Sequence, residues 1–273
     1  MHPSLIDFIS LAHREGMRVS LATNGIALSD CDFIQRLSTA YRPADTIGIS
    51  FKGSSKFDYK NISLSSSLDS FELLVKGIMN LAAVSSLRYT VSYVVSKSNI
   101  GKLGEVLGVI RGLTSAPIGL SLCGPYAENG IIVNPASLKS FCDLMNRCID
   151  VLDEIDYSDI YLHANVPLCN IDANSLLKAS DSKTVNLTYG CHVLHRSGLV
   201  FDTNGDLLLC NHLPGMSVGR MGVDYLTEKE FLSFLSSEAF TAPWESLVKL
   251  PYDECAECEQ LFKCLGGCPL FHY

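Results

Sequence analysis

The hydrophobic pattern of the first 175 residues alternates between helical and extended segments. In several segments the apolar residues recur every three or four positions, the spacing of one buried face of a helix. Between them, apolar and polar residues alternate, or form short apolar runs typical of strands. The predicted helices span residues 5–15, 31–37, 67–83, 100–110 and 137–155, and the predicted strands 19–23, 45–51, 87–95, 116–122 and 159–164.

This order of strands and helices predicts parallel strands joined by right-handed crossovers. The predicted fold class is therefore α/β, with a first domain over residues 1–175. The pattern alone leaves open whether the strands form a barrel or an open sheet.

The pattern changes near residue 184. The stretch LVFDTNGDLLLC (199–210) reads as two short strands around Thr203-Asn204-Gly205, which predicts a β-hairpin with a positive φ at Gly205. The rest is rich in loops, with one predicted helix near 227–237 and cysteines at short intervals. We therefore expect a second module, held together by metal, over residues 184–273.

Composition and charge narrow the classes of function. A net charge of −8 in 273 residues argues against a nucleic-acid surface and a polybasic membrane patch. No apolar run approaches the roughly 20 residues of a membrane helix, and Asp7 interrupts the first apolar segment, unlike a signal peptide. We expect a cytoplasmic protein with reduced thiols, so its 11 cysteines indicate metal binding or catalysis rather than disulfides.

Six cysteines belong to the second module. Cys255 and Cys258 have the two-residue gap that lets both sulfurs of one turn face one metal centre. Four thiolates suit either zinc or an iron–sulfur cluster. The hairpin brings the chain back toward Cys191 and so can deliver Cys210 to the same centre. The remaining cysteines of the chain, apart from Cys169, are interpreted as buried thiols: Cys31, Cys123, Cys142 and Cys148.

The spacing of the six cysteines resembles a known module. Cys191 is followed by 13 residues, Gly205, four residues and Cys210, and later by the run C-x2-C-x5-C-x3-C at Cys255, Cys258, Cys264 and Cys268. This order resembles the SPASM module found at the carboxyl end of many radical S-adenosylmethionine (SAM) enzymes. The resemblance covers about residues 188–268.

The first 175 residues are similar, by the same resemblance, to an incomplete (β/α) radical SAM barrel. The stretch HPSLIDFISLAHREGMRVSLATNG looks like a helix and the third strand of that barrel, and YTVSYVVSKSN like its fifth strand. IGISFKG stands where the family often has a Ser-x-Asp-Gly pattern, with Lys52 in place of the acid. The resemblance makes Asn24 and Ser50 candidates for the SAM-facing side of the barrel.

The defining motif of the family, C-x3-C-x2-C, does not occur in this sequence. In the family its thiolates hold the [4Fe–4S] cluster whose open iron binds SAM. By the resemblance, we expect that motif and the first two strands to precede Met1. SAM would then be a cofactor only with that segment or with a complementing subunit, and we expect no SAM cleavage by this chain alone.

The resemblance implies one or two auxiliary [4Fe–4S] clusters. It assigns three cysteines to the first cluster: Cys191, Cys210 and Cys268. It assigns three to the second, Cys255, Cys258 and Cys264, together with a later cysteine that this sequence lacks. Cys169 is a candidate for the fourth ligand of the first cluster, although a buried thiol is the favoured interpretation.

The resemblance implies that this chain is part of a radical SAM/SPASM enzyme that modifies a peptide or protein substrate. The alternative is a non-catalytic binding module or subunit stapled by zinc or by a single cluster. Asp202 and Asp206, on either side of the hairpin turn, are interpreted as turn residues. His192, His195 and His212 are interpreted as surface or hydrogen-bonding residues.

Overall fold

The computed structural model describes residues 2–63, 67, 69–128, 131–133, 137–155, 157–163, 165–182 and 185–271. The strands are β1 (Ser20–Thr23), β2 (Thr46–Phe51), β3 (Tyr89–Val95), β4 (Ile118–Leu122), β5 (Tyr126–Glu128), β6 (Ile131–Val133), β7 (Ile160–His163), β8 (Val185–Thr188), β9 (Val200–Phe201), β10 (Asp206–Leu208) and β11 (Ser217–Arg220). The helices are α1 (Leu5–Arg14), α2 (Cys31–Ala40), α3 (Lys56–Ser63), α4 (Asp69–Ala82), α5 (Leu103–Leu113), α6 (Leu138–Asp153), α7 (Ala173–Asp181), α8 (His192–His195), α9 (Glu228–Leu235), α10 (Glu238–Leu247) and α11 (Leu261–Cys264).

Two compact units share the chain. The sheet unit comprises Met1–Ser121, Cys148–Leu162 and Lys178–Leu187. The cysteine unit comprises Leu122–Arg147, His163–Leu177 and Thr188–Tyr273. The boundary predicted between residues 175 and 184 stays a prediction.

A six-stranded parallel sheet, in the order β1-β2-β3-β4-β7-β8, forms the frame of the sheet unit. Its register places Ala22 of β1 beside Gly48 of β2, which in turn lies beside Thr90 of β3. Five of these strands are predicted by the sequence, and β8 is not. The predicted α/β class is confirmed: the fold is consistent with a partial radical SAM barrel plus a small strand module.

The two faces of this sheet differ. Alternate residues of β2 and β3 are buried, and they are large and apolar: Ile47, Ile49, Phe51, Val91, Tyr93 and Val95. Burial of each such side chain contributes about 1.5–3 kcal/mol to folding. The residues between them point to the opposite face, because side chains alternate along a strand. Most of them are small or polar and at least partly exposed, as Gly48, Ser50 and Ser92 illustrate, whereas Val94 is an exposed apolar residue.

Helix α4 holds the turn that follows β1. Gly25 in this turn has φ +78°, a conformation that favours glycine. Gly77 of α4 lies against it so closely that a Cβ there would stand 2.5 Å from the Gly25 carbonyl oxygen. The Asn80 side chain adds a hydrogen bond of 3.0 Å to the Leu28 carbonyl oxygen. The position of Asn24, one residue earlier, is therefore set by the packing of α4.

The cysteine unit is built from short elements. β10 pairs antiparallel with β9 and with β11, and β5 pairs with β6. The predicted hairpin at 199–210 is confirmed, and Gly205 has the expected positive φ, 80°. A small apolar core lies at the centre of the unit: Ala127, Val193, Leu213, Leu247 and Leu270.

The sequence missed several elements. α3, α7, α10 and the β5–β6 hairpin have no counterpart among the predictions. α10 contains Pro243, a residue that argues against a helix interior when only the sequence is read. No helix in the described ranges is both long enough and apolar enough to span a bilayer.

A buried ion pair anchors the start of β2. Asp45 is 1% exposed, and one of its carboxylate oxygens lies 2.8 Å from Nε2 of His13 on α1. The backbone N–H groups of Val19 and Arg42 donate to the same carboxylate at 2.8 and 2.7 Å. Burial alone would raise the pKa of Asp45, but the N–H groups of Arg42 and Val19 and the charge of His13 bring it below its usual value.

We predict that Asp45→Ala lowers the free energy of unfolding by about 3 kcal/mol at neutral pH, since it leaves His13 and two N–H groups buried without their partner. A carboxyl whose folded pKa is depressed contributes stability above its unfolded pKa of about 3.9 and loses it as pH falls through the folded value. The difference between variant and parent should therefore shrink below about pH 4. Urea unfolding at a series of pH values measures both effects.

The control is Asp7→Ala, which removes an exposed carboxylate from α1. It should change the free energy of unfolding by less than about 0.5 kcal/mol. An equally small effect of Asp45→Ala would show that the ion pair is not an anchor of this unit.

Candidate metal centre

All 11 cysteines lie in the described part of the chain, and none forms a disulfide. Within the cysteine unit the structure brings six of them into two groups, and a seventh lies beside the second group. The first thiol group comprises Cys191, Cys210 and Cys268. The second thiol group comprises Cys255, Cys258 and Cys264, with Cys169 beside it.

The first thiol group packs on the small apolar core of the cysteine unit. Cys191 is the N-cap residue of α8, Cys210 lies two residues after the end of β10, and Cys268 precedes a short 3₁₀ helix at Pro269–Phe271. All three side chains are partly buried against the core. The hairpin thus delivers Cys210 to the neighbourhood of Cys191.

The thiols of this group interact electrostatically. Burial raises the pKa of Cys268 to about 12, to which the charges of Cys191 and Cys210 add, while the N–H of Leu270 opposes the rise. Burial and the charge of Cys191 also raise the pKa of Cys210, against a hydrogen bond from the His212 N–H. Cys268 and Cys210 therefore tend to keep their protons when no cation is near, and metal binding would have to displace those protons.

The second thiol group lies on one compact stretch of chain. Cys255 is within the 3₁₀ helix Asp253–Glu257, and the N–H of Cys258 donates to the Cys255 carbonyl oxygen at 3.2 Å. Cys264 ends α11. The C-x2-C turn and the single turn of α11 place the three residues on one short segment, as their spacing predicts.

A loop from elsewhere in the chain packs along this stretch. Gly267 has φ +77°, and a Cβ there would lie 2.7 Å from the backbone nitrogen of Pro167. The N–H of Cys268 donates to the Asn165 carbonyl oxygen at 2.7 Å. The N–H of Leu168 donates to Sγ of Cys264 at 3.3 Å. Only a residue without a side chain fits at Gly267, so the glycines of CLGGC permit this approach.

Three expectations about single cysteines need correction. Cys169 is exposed rather than buried, because it lies on the surface of the 3₁₀ helix Leu168–Asn170. Cys31 is exposed as well, since it begins α2 on the solvent side, and Cys123 is only partly buried. Cys142 and Cys148 are buried on α6, as predicted.

The donor set fits an iron–sulfur group by its chemistry, because thiolates are the usual ligands of such clusters. Three or four cysteines in each group can be brought to one cluster from loops and helix ends. Among the described residues, no three His, Cys, Asp or Glu side chains already converge on one point that would hold a bare metal ion. Each group is thus defined by its packing and by the electrostatic interactions among its own thiols.

Asn24 and Ser50 lie on neighbouring strands of the sheet unit. Asn24 follows β1, and Ser50 is next to the last residue of β2. Both side chains are exposed, and Asn24 Oδ1 accepts a hydrogen bond of 3.2 Å from the N–H of Ile26. Because β1 and β2 are parallel and paired from Ser20 with Thr46, the two residues lie at the same edge of the sheet.

The hairpin carboxylates form local contacts. Asp202 accepts hydrogen bonds from the N–H groups of Asn204 and Asp206 at 2.7 and 2.9 Å, which closes the turn. Asp206 pairs with Arg220 on β11 at 2.5 and 2.8 Å. His212 Nδ1 lies 3.0 Å from the Pro125 carbonyl oxygen.

A cavity of about 460 Å³ lies beside α8, and the sequence did not predict it. Trp244 lines it and donates from Nε1 to the Val193 carbonyl oxygen at 2.6 Å, while the Arg196 guanidinium lies 3.6 Å from the centre of the Trp244 ring. His192 also lines the cavity, and its Nε2 is buried with no hydrogen-bond partner among the described residues. A single tryptophan in a sequence carries no signal for such a cavity.

We predict that Gly267→Ala destabilises the cysteine unit by about 3 kcal/mol or more. The left-handed backbone costs an alanine about 1–2 kcal/mol, and overpacking against Pro167 adds about 1–3 kcal/mol. Trp244, the single tryptophan of the chain, lies in this unit, so its fluorescence during urea unfolding reports the change.

Gly215→Ala is the matched control, because Gly215 has φ +78° in the same unit and open space where a Cβ would stand. It should cost only the backbone penalty, about 1–2 kcal/mol. Equal losses in the two variants would mean that the close contact with Pro167 is unimportant.

No protein-family model matches this sequence, and no curated protein matches it. Among solved structures, Streptococcus suis SuiB bound to S-adenosylmethionine is similar over 97% of this chain and 58% of its own, with 12% identity and a TM-score of 0.62. Native anSMEcpe with bound AdoMet and Kp18Cys peptide is similar over 92% of this chain and 66% of its own, with 16% identity and a TM-score of 0.55. SuiB bound to precursor peptide SuiA is similar over 97% of this chain and 58% of its own, with 14% identity and a TM-score of 0.59.

SuiB and anSME are radical SAM/SPASM enzymes that modify peptides. This chain spans less than two thirds of the length of these structures, 58–66%. At such low sequence identity the likeness establishes the fold alone. The fold suspected from the cysteine spacing is confirmed: the chain has the architecture of radical SAM/SPASM enzymes.

Proposed function

We propose that this chain forms part of a radical SAM/SPASM enzyme that modifies a peptide or protein substrate and binds auxiliary [4Fe–4S] clusters through the cysteine unit. The observation that carries the proposal is the gathering of six cysteines into two thiol groups within one unit. Cysteines that serve only as buried apolar residues are expected to be scattered through the core, not gathered into two groups on loops and helix ends.

In this proposal Cys191, Cys210 and Cys268 bind one cluster, and Cys255, Cys258 and Cys264 bind the other. A bound cluster supplies one-electron chemistry. The chain's own residues provide ligands, orientation and a partly apolar surround. The core beside the first thiol group would exclude water from one side of a bound cluster. Hydrogen bonds from His212 N–H to Cys210 Sγ and from Leu168 N–H to Cys264 Sγ would stabilise thiolate charge.

The face of the sheet that carries Gly48, Ser50 and Ser92 supports a binding role for the sheet unit. Its small and polar residues, such as Gly48, Ser50 and Ser92, leave room and offer hydrogen-bonding groups. Asn24 and Ser50, at one edge of the sheet, are the candidates to contact SAM. The similar structures contain AdoMet, the Kp18Cys peptide and the precursor peptide SuiA as bound molecules, which supports a peptide substrate here.

The 273 residues contain no C-x3-C-x2-C run. Any SAM-binding cluster of that kind would need thiolates from a preceding segment or from a complementing subunit. We include such a segment or subunit among the partners of this chain.

We predict that the chain, purified and reconstituted without oxygen, binds iron and acid-labile sulfide in equal amounts. Cys258→Ala and Cys264→Ala should lower both, since each removes a ligand. Both should also increase proteolysis of the tail after about residue 185, because metal binding contributes to folding of loop-rich modules. Iron and sulfide assays and limited proteolysis measure these changes.

The control is Cys148→Ala, which removes a buried thiol from α6 and should cost only on the order of 1 kcal/mol of stability, with the iron content unchanged. Stoichiometric zinc without sulfide would instead establish the alternative, a binding module stapled by zinc.

We predict that the chain alone does not cleave SAM reductively. This reaction needs an iron with an open site next to a correctly oriented sulfonium, and orientation supplies a large share of such catalysis. The measurement is anaerobic incubation with SAM and dithionite, followed by chromatography for 5′-deoxyadenosine. More than one 5′-deoxyadenosine per chain would contradict the prediction and would show that this chain itself binds the catalytic cluster.

A further inference from the structure

The loop that carries Cys169 is held against the second thiol group from both sides. The preceding residue, Leu168, donates its N–H to Sγ of Cys264 at 3.3 Å. The following residue, Asn170, donates from Nδ2 to the Tyr252 hydroxyl at 3.0 Å. Tyr252 and Cys264 bracket the segment that contains Cys255 and Cys258. Cys169 therefore lies alongside that segment, between two contacts to its ends.

The contact is close along the backbone as well. Gly267 allows the chain at Val166 and Pro167 to approach within 2.7 Å of where a Cβ would stand. The hydrogen bond from the Cys268 N–H to the Asn165 carbonyl oxygen fixes the same loop one step earlier. The position of Cys169 is thus determined by the packing of its loop.

The thiols are near enough to act on one another. The exposed thiol of Cys169 lies close enough to Cys264, Cys255 and Cys258 to interact with each of them electrostatically. The first thiol group shows its own separate set of interactions, among Cys191, Cys210 and Cys268. Cys169 thus belongs with the second group.

We infer that Cys169 is the fourth thiolate ligand of the iron–sulfur cluster held by Cys255, Cys258 and Cys264. A [4Fe–4S] cluster takes four cysteine thiolates, one for each iron. The cysteine spacing supplies three, and Cys169 supplies the fourth from a loop about 90 residues earlier in the sequence. Each thiol loses its proton when it binds iron.

This assignment rests on the proposed function and revises two expectations. The resemblance gives the fourth position of this cluster to a later cysteine, whereas the packing of the Leu168–Asn170 loop gives it to Cys169. The resemblance also made Cys169 a candidate for the first cluster, whose thiols lie on the apolar core. Completion by Cys169 would leave the second cluster with no open iron, a state suited to electron transfer rather than to ligand binding.

The first experiment compares the reconstituted parent chain with Cys169→Ala and with Cys31→Ala. Cys31 is the matched control, because it is an exposed cysteine in the sheet unit. Cys169→Ala should either lose about half of the bound iron and sulfide, one cluster of two, or yield a three-iron cluster visible by electron paramagnetic resonance in the oxidised state. Cys169→Ser, which keeps an oxygen donor, should retain the cluster with an altered spectrum. Cys31→Ala should match the parent.

The second experiment needs no variant. Iodoacetamide should alkylate Cys169 at least tenfold more slowly in the iron-loaded chain than in the metal-free chain, by mass spectrometry of peptides. Cys31 should react at the same rate in both. Equal labelling of Cys169 in the two states, or a Cys169→Ala chain identical to the parent, overturns the inference while the parent's clusters still support the proposed function. A parent without iron and sulfide overturns both.

Discussion

The cysteine unit depends on the close approach of the 165–168 backbone to the segment that ends at Cys268. Gly267 makes this approach sterically allowed, and hydrogen bonds from Cys268 N–H and Leu168 N–H hold it. An apolar cluster that includes Val193, Leu213 and Leu247 packs beside the first thiol group. Contacts between distant segments at Cys264 and Cys268 add to apolar burial in stabilising the unit.

The sheet unit is organised by a different constraint. Its parallel strands carry large apolar residues on one face and small or polar residues on the other. Parallel sheets in compact domains usually have both faces covered by helices. A face such as that of Ser50 and Ser92 is the feature expected when a sheet curves around a ligand.

Charge burial is handled differently in the two units. Asp45 is fully buried yet compensated by His13 and two backbone N–H groups, so it stabilises local structure. The thiols of the first group are partly buried near one another, and burial raises the pKa of Cys268 and of Cys210. The Asp45 carboxylate has all of its partners within the protein. The thiols of the first group, by contrast, would be stabilised as thiolates by a bound cation that replaces their protons.

The sequence by itself determined the strand–helix order, the hairpin at Gly205 and the spacing of Cys255, Cys258 and Cys264. These are local properties, because periodicity, turn chemistry and chelate spacing are written within a few residues. The tertiary structure decided what depends on distant segments. It joined β8 to the sheet, formed a helix through Pro243, exposed Cys31, and placed Cys169 beside Cys264 rather than in a core. Such contacts form between loops that are about 90 residues apart in the sequence. The sequence around Gly267 does not indicate which distant loop will pack against this glycine.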